Sequence, residues 1–339
     1  MRVLAVMALL FVLAVPSACS EDLDYCGKGL AAQKAGNHDL AIDHFSRCIN
    51  QGDLTVGQFA SAHYNRGNSY YQKGNYNQAI SDYTDAIRHN PSFARAYDNR
   101  GVVYLRMGNY DQAIQNYNEA IRLDPGNALT YNNRGSAYDN RGDHGGAIAD
   151  YDRAIADFTQ AIRLDTLEGP RKAWPFNNRG NTHRAKGQYD RAIADFDQAI
   201  RLNPDYAIAF NNRGLAYDGK GQHDRAIADY DEAIRLMPDY AIALNNLAGV
   251  LATAPNARLR DGPRAVRLAE KAVSLLDDAH TRDHLAAAYA EASRFRDAVN
   301  AQERAISKAR AEGSSASDIA DMEDRLRLYR QGRPYREKR

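Results

Sequence analysis

The sequence predicts an all-α solenoid built from about eight helix-turn-helix repeats and closed by a C-terminal helix. Three observations carry that prediction. Gly67, Gly101, Gly135, Gly180 and Gly214 return at spacings of 34, 34, 45 and 34 residues, each inside the same recurring phrase, and a fixed period in this range marks stacked repeats. In one copy, Tyr97, Gly101, Tyr104 and then Ala113, Ile114, Tyr117, Ala120 and Ile121 fall at helical spacing, giving two short helices one buried stripe each. The helix ends are also written in: Gly108 stands where the first helix must stop in a left-handed residue, and Pro125 follows the second helix, which it cannot continue.

Taken in order, the chain opens with one Arg and an apolar run from Val3 to Val15, followed by small residues. That run is short for a bilayer span and predicts a secretory signal over 1–20. Two processing routes fit: cleavage after Ser20, which removes Cys19, or a degenerate lipobox in which Cys19 becomes the lipidated N-terminus. Either route leaves Cys26 and Cys48 as an even pair of thiols in an oxidising compartment, periplasmic or secreted. We expect a disulfide between them, worth about 3 kcal/mol by chain-entropy reasoning. The alternative is two buried free thiols acting as small hydrophobes.

The repeats run over 22–59, 60–93, 94–127, 128–172, 173–206, 207–240, 241–278 and 279–312. A degenerate first repeat occupies 21–59 and the solenoid proper 60–312, with decay at the ends as terminal repeats show. The fourth repeat carries the phrase "GAIADYDRAIADFTQAIRLD". It reads as a second helix with about seven extra residues, nearly two turns, so its stripe stays in phase while it lengthens by about 10 Å. The link "TLEGPRKAWP" follows and holds Trp174, the single tryptophan, as a plug for the irregular junction or a partner anchor. Ile319, Met322, Leu326 and Tyr329 then share one face of a capping helix over 313–331. The basic tail 332–339 is expected to be a mobile, solvated end, the alternative being a contact with anionic lipid or an acidic partner.

Tyr97, Gly101, Tyr104, Ala113, Tyr117 and Pro125 also match the aromatic, Gly, Tyr, Ala, aromatic and Pro of the tetratricopeptide pattern. Arg100 stands where Leu is usual and Tyr97 where Trp is typical. Over nearly all of its length after the signal, the chain resembles a tetratricopeptide-repeat protein of the exported bacterial type. The resemblance implies a right-handed α-solenoid whose first helices line a concave face, with a protein or peptide as partner.

Little in the sequence points to catalysis. With 44 Lys and Arg against 43 Asp and Glu, the net field selects no polyanion, so no nucleic acid is expected, and a membrane only through a lipidated Cys19. His280 and His284 lie four apart but lack a third ligand, so no metal and no cofactor is expected. His144 and His223 take the slot that holds Tyr110 and Tyr189 in sister repeats and read as packing or capping residues. The recurring Asp pairs read as solvated helix faces rather than an acid and base couple. We expect a binding module, not an enzyme.

Asparagine recurs with more promise. Asn65, Asn99, Asn133, Asn178, Asn212 and Asn246 hold one position of the first helix in six successive repeats. This ladder is similar to that in the tetratricopeptide domain of O-linked N-acetylglucosamine transferases, where the amides bind extended peptide backbone; the transferase domain itself is absent. An amide offers donors and an acceptor, so a row of them suits backbone recognition, or bonds between neighbouring helices. Asn132, Asn177, Asn211 and Asn245 stand one position earlier. Arg66, Arg100, Arg134, Arg179 and Arg213 follow the ladder and are expected to pair with second-helix carboxylates such as Asp82, Asp150, Asp195 and Asp229, or to lie exposed along the groove. The chaperone-binding members place Lys and Arg around two Asn; Asn68 and Asn99 fit those Asn slots, while Cys26 and Leu129 occupy the Lys slots. The expected role is a scaffold in the envelope that holds an extended peptide or protein surface, or alternatively an organiser that self-associates through its terminal repeats as a homo-oligomer.

Overall fold

The computed structural model describes residues 24–51, 54–145 and 148–337. The expected signal over 1–20 and Cys19 lie outside the described residues, as does the side chain of His144. Among the described residues all regular structure is helical, in seventeen α-helices and two 3-10 turns, and the chain divides into two compact bodies, 1–125 and 126–339.

The N-terminal body is three hairpins: α1 (Asp24–Lys34) with α2 (His38–Asn50), α3 (Val56–Gln72) with α4 (Tyr76–His89), and α5 (Ala94–Arg106) with α6 (Tyr110–Leu123). The C-terminal body continues the same pattern with α7 (Ala128–Gly145) and α8 (Ile148–Leu164), α9 (Ala173–Ala185) and α10 (Tyr189–Leu202), and α11 (Ala207–Gly219) and α12 (His223–Leu236). Its last hairpins are α13 (Ala241–Thr253) with α14 (Gly262–Leu275) and α15 (Ala279–Glu291) with α16 (Phe295–Glu312), followed by the single α17 (Ala316–Arg330). Within each body, each helix packs on its sequence neighbour, and each second helix also packs on the first helix of the next hairpin.

The recurring glycine is a contact residue. A Cβ at Gly180 would stand 2.7 Å from the Phe196 ring, and one at Gly101 2.7 Å from Tyr117. In the first six hairpins an aromatic ring of the second helix therefore packs against the bare backbone of the first, which is why Phe45, Tyr83, Tyr117, Phe158, Phe196 and Tyr230 are fully buried. A different glycine, Gly108 among others, makes the turn at φ +76°, where a side chain would be strained.

The fourth repeat corrects one expectation. The seven extra residues do not lengthen the second helix alone: α7 has 18 residues and α8 has 17, against 13 and 14 in the hairpin of α5 and α6. An antiparallel hairpin buries added length only if both arms grow, so the turn moves outward and each helix gains about one turn. Gly142, which aligns with the turn glycine Gly108, is helical here, and a Cβ on it would meet the Tyr151 ring at 3.1 Å. In the link that follows, Gly169–Lys172 forms a 3-10 turn. Leu167 and Pro175 are buried there, whereas Trp174 is 36% exposed, so the plug is not the tryptophan.

The C-terminal end brings a second correction. α17 covers the last hairpin through Met322, Leu326 and Tyr329, and Gln302, fully buried beneath it, donates to the Met322 carbonyl at 3.1 Å and to Asp283 at 2.7 Å. The tail does not wave free through residue 337. Tyr335 packs on the core of α13 to α16, Arg336 donates to the Ala252 carbonyl at 3.2 Å and also pairs with Glu291. The Glu337 N–H donates to the Thr253 carbonyl at 3.1 Å. The C-terminal end of α13 offers unpaired carbonyls, and a strand of basic and aromatic residues satisfies them.

Candidate functional site

In the C-terminal body the asparagines bond to one another. Asn178 donates to Asn132 at 3.1 Å, Asn212 to Asn177 at 3.0 Å and Asn246 to Asn211 at 3.0 Å. Within a helix Asn177 donates to Asn178 and Asn211 to Asn212, both at 3.3 Å. The result is a chain of amides that ties α7, α9, α11 and α13 at their polar faces. Each link consumes one N–H and one oxygen lone pair of an amide that has two of each, so Asn178 and Asn212 keep part of their capacity. Asn133 lies half-buried on α7 beside this chain.

On the same helix faces, one turn earlier, stand Trp174, Ile208 and Ile242, each partly exposed. Each is four residues ahead of Asn178, Asn212 or Asn246 and so shares its face. The sequence reading missed Ile208 and Ile242 as surface residues; the signal available was an apolar side chain at the second position of three successive first helices.

The N-terminal body arranges its amides differently. Asn65 turns back to donate to the Ser61 carbonyl at 2.9 Å, and its own carbonyl accepts from Gln33 of α1 at 3.0 Å. Gln33 also donates to Ser69 at 3.1 Å. Asn99 donates to Tyr64 at 3.0 Å and to Asn68 at 2.8 Å, and the same Asn68 oxygen accepts the Tyr83 hydroxyl at 2.8 Å. Both lone pairs of that oxygen are thus filled, while the Asn68 amide N–H groups make no hydrogen bond among the described residues. Asn68 borders a cavity of about 560 Å³ that Gln33, Lys34, His38, Gln72 and Asn99 also line. Cys26 and Cys48 join α1 to α2 as a disulfide with Cα atoms 5.4 Å apart, within the hairpin that supplies Gln33.

The arginines are structural staples. Arg66 holds Asp82 with two bonds of 2.9 and 2.7 Å, Arg179 holds Asp195 at 2.9 and 2.7 Å, and Arg213 holds Asp229 at 2.8 and 2.7 Å. Each also reaches the preceding second helix, through Ser46, Thr159 or Asp197, so one guanidinium bridges three helices. Asp150 is the exception to the expected pairing: Arg134 takes Asp157 at 2.7 Å, and Asp150 goes to Arg141 and Arg153. The cause is the lengthened hairpin, which shifts the residue facing Arg134 by seven. Arg100 meets Asn116 at 2.8 Å where its sisters meet carboxylates. Burial lowers the Arg100 pKa. Burial also acts against the Arg213 charge, but the hydrogen bonds it donates to Asp229 and Asp197 carry its pKa above the ordinary value.

The histidine pair His280 and His284 has ring centroids 4.4 Å apart. His284 packs against Gly249 and bonds the Asn245 carbonyl through Nδ1 at 3.1 Å. Burial first, and the His280 charge second, push its pKa down to about 4, so it is a neutral packing residue at ordinary pH. His63, Asp82 and Asp85 also cluster, but the Asp82 oxygens hold Arg66 and His63.

Tetratricopeptide-repeat profiles match residues 26–91, 64–128, 99–162 and 207–240, and a TPR-repeat profile matches 180–221. Together these segments span more than half of the chain. The chain belongs to the tetratricopeptide-repeat family. Among solved structures, a tetratricopeptide repeat protein from Parabacteroides merdae is 17% identical with a TM-score of 0.62, covering 79% of this chain and 99% of that one. The Cut9–Hcn1 hetero-tetramer of APC/C matches with 16% identity and a TM-score of 0.62, over 85% of this chain and 52% of that one. Yeast Tom70 matches with 18% identity and a TM-score of 0.52, over 94% and 66%. At these identities the likeness is one of fold. No curated protein sequence matches the chain. The tetratricopeptide-repeat family is generally a protein-interaction scaffold without catalysis of its own.

Proposed function

We propose that this tetratricopeptide-repeat protein is an exported scaffold that captures an extended peptide segment of a partner in the cavity between α1, α3 and α5. The observation that carries the reading is Asn68. Its oxygen is saturated by Tyr83 and Asn99, its N–H groups are unspent, and Lys34, His38 and Gln72 border the same cavity. A wall so rich in donors suits carbonyl oxygens, which an extended main chain presents at every residue whatever its sequence. In the C-terminal body the same role falls to the remaining capacity of Asn178 and Asn212, with Trp174, Ile208 and Ile242 adding apolar contacts. The oxidising, envelope location rests on the apolar start of the chain and on the Cys26–Cys48 pair; lipidation at Cys19 would add an anchor.

Alanine at Asn178 or Asn212 is a poor probe, because it removes helix-to-helix bonds along with any ligand contact. A cleaner test places a photo-crosslinking amino acid at Val102, in the wall of the N-terminal cavity, and irradiates intact cells. The expected result is a discrete adduct that weakens when Asn68→Asp replaces the donors with a repelling carboxylate of the same size. An equal adduct yield in both proteins would remove Asn68 from the role.

A second reading has its own observation. α16 and α17 enclose a cleft of about 630 Å³ in which Glu303 and Glu323 alternate with Arg310, Arg327 and Arg330 around Ile306 and Leu326. Such a mixed-charge rim with an apolar floor is self-complementary in principle, which favours association through the terminal repeat. Light scattering should then show a mass that rises with concentration and falls back when Arg327 and Arg330 are both changed to Glu.

A further inference from the structure

In the hairpin of α11 and α12 a turn contact of the second repeat is replaced. Tyr71 and Tyr76 hold this place in the second repeat, with ring centroids 6.0 Å apart. The equivalent residues are Asp218 and His223, four and nine positions after Gly214 as the tyrosines are after Gly67. Asp218 Oδ1 and His223 Nδ1 lie 2.8 Å apart. An aromatic contact that needs only packing has become a carboxylate and an imidazole at the surface of the C-terminal body.

A third donor arrives from far along the chain. The segment after α17 returns to the end of α13, where the Glu337 N–H donates to the Thr253 carbonyl at 3.1 Å and the Thr253 hydroxyl donates to Glu337 Oε1 at 2.9 Å. One ligand atom each from Asp218, His223 and Glu337 then lies within 4.8 Å of the others. A cavity of about 570 Å³ opens on all three, bordered also by Pro255 and Asn256. Lys220 also lines this cavity, with its ammonium paired to Asp190.

We propose that Asp218, His223 and Glu337 form a divalent metal site of the zinc class, which locks the C-terminal segment onto the hairpin of α11 and α12. One imidazole and two carboxylates with an open side toward the cavity are a three-ligand set that leaves a fourth position for water. Two carboxylates neutralise a divalent charge. Calcium would need six to eight oxygens, far more than this set supplies, and magnesium favours all-oxygen surroundings. The Thr253 hydroxyl holds the Glu337 carboxylate in the way that outer partners orient metal ligands. Bonds of about 2.0 to 2.2 Å draw the ligand atoms closer together, a change within the reach of the Glu337 side chain. The ion displaces the direct contact between Asp218 and His223.

The test uses the untagged full chain after treatment with a chelator, titrated with Zn²⁺ by calorimetry in the presence of excess Ca²⁺ and Mg²⁺. One ion per chain is expected, with affinity lost in His223→Gln and reduced at least tenfold in Glu337→Gln, and unchanged in His280→Gln. Hydrogen exchange should also slow at residues 333–337 on adding Zn²⁺, and not in Glu337→Gln. Unfolding curves without metal establish that the variants are folded. Absence of stoichiometric binding, equal affinity in the folded Glu337→Gln protein, or dependence on His280 instead would each overturn the proposal.

Discussion

Tyr83, Tyr117 and Tyr230 take the same slot over a glycine of the facing helix, where sister repeats carry Phe45, Phe158 and Phe196. Burial above all raises the pKa of each of the three hydroxyls. Tyr83 donates to Asn68, but the Tyr117 and Tyr230 oxygens are buried without a hydrogen-bond partner among the described residues. An unpaired buried hydroxyl costs about 1 to 3 kcal/mol, and removing it together with its hydration demand costs little. Tyr230→Phe should therefore be neutral or stabilising in urea unfolding, whereas Tyr83→Phe should lose about 1 kcal/mol. Equal destabilisation by both would show that the Tyr230 hydroxyl has a partner. His284 makes a pH-dependent contribution of the same local kind. Its folded pKa of about 4 lies below the ordinary value of about 6.5. Above that value neither state binds the proton and the site adds no slope. As pH falls from 6.5 toward 4 the unfolded chain protonates first, so stability drops, by up to about 3 kcal/mol. His280, Asp283 and Arg325 act on the same ring. His284→Gln should flatten the fall in melting temperature over that window; an unchanged slope would place the titration elsewhere.

At the scale of the element, the hairpin of α7 and α8 shows what the sequence disclosed and what it withheld. Hairpin boundaries were legible because glycine at a left-handed position and proline after a helix act locally, as at Gly108 and Pro125. Gly142 aligns with Gly108, yet it is not a stop. Its helix continues because Arg141 and Gly142 repeat the contacts of Arg134 and Gly135 one layer further out: Arg141 holds Asp150 at 2.7 and 2.8 Å, and Tyr151 covers Gly142. The signal was present as "NRG" at 133–135 and again at 140–142, seven residues apart, but a glycine gives no local sign of which role it has. The asparagine row was equally visible, and its bonding was not, since an amide is satisfied by a neighbouring helix or by a ligand. The folded tail depends on long-range contacts of Tyr335 and Arg336 that no local pattern encodes. The added layer predicts that Arg141→Gln, which leaves Asp150 with Arg153 alone, speeds hydrogen exchange in 136–145 and 148–153 while 128–134 keeps its protection. Uniform loss along the whole hairpin would mean that the outer layer is not an independent packing unit.

At the scale of the whole molecule, contacts within each body join sequence neighbours, so a hairpin draws stability from itself and from those beside it in its body. The hairpin of α1 and α2 has one described neighbour, α3, and a small core of Ala32, Ala41 and Phe45 beside the buried Cys48. It is the part most in need of a covalent clip. Reduction of the Cys26–Cys48 bond should cost this hairpin about 3 kcal/mol by loop-closure reasoning, and the loss should stay local. As α1 loosens, Gln33 leaves the Asn65 carbonyl and Ser69, and the cavity beside Asn68 loses a wall. Hydrogen exchange under a reductant that leaves the rest folded should therefore deprotect 24–50 while α9 to α12 are unaffected, and photo-crosslinking from Val102 should weaken in parallel. Unaltered exchange in 24–50 would show that packing alone holds the first hairpin. Deprotection without any loss of crosslinking would separate the disulfide from the capture of a partner, and with it the reason for this chain to work where thiols are oxidised.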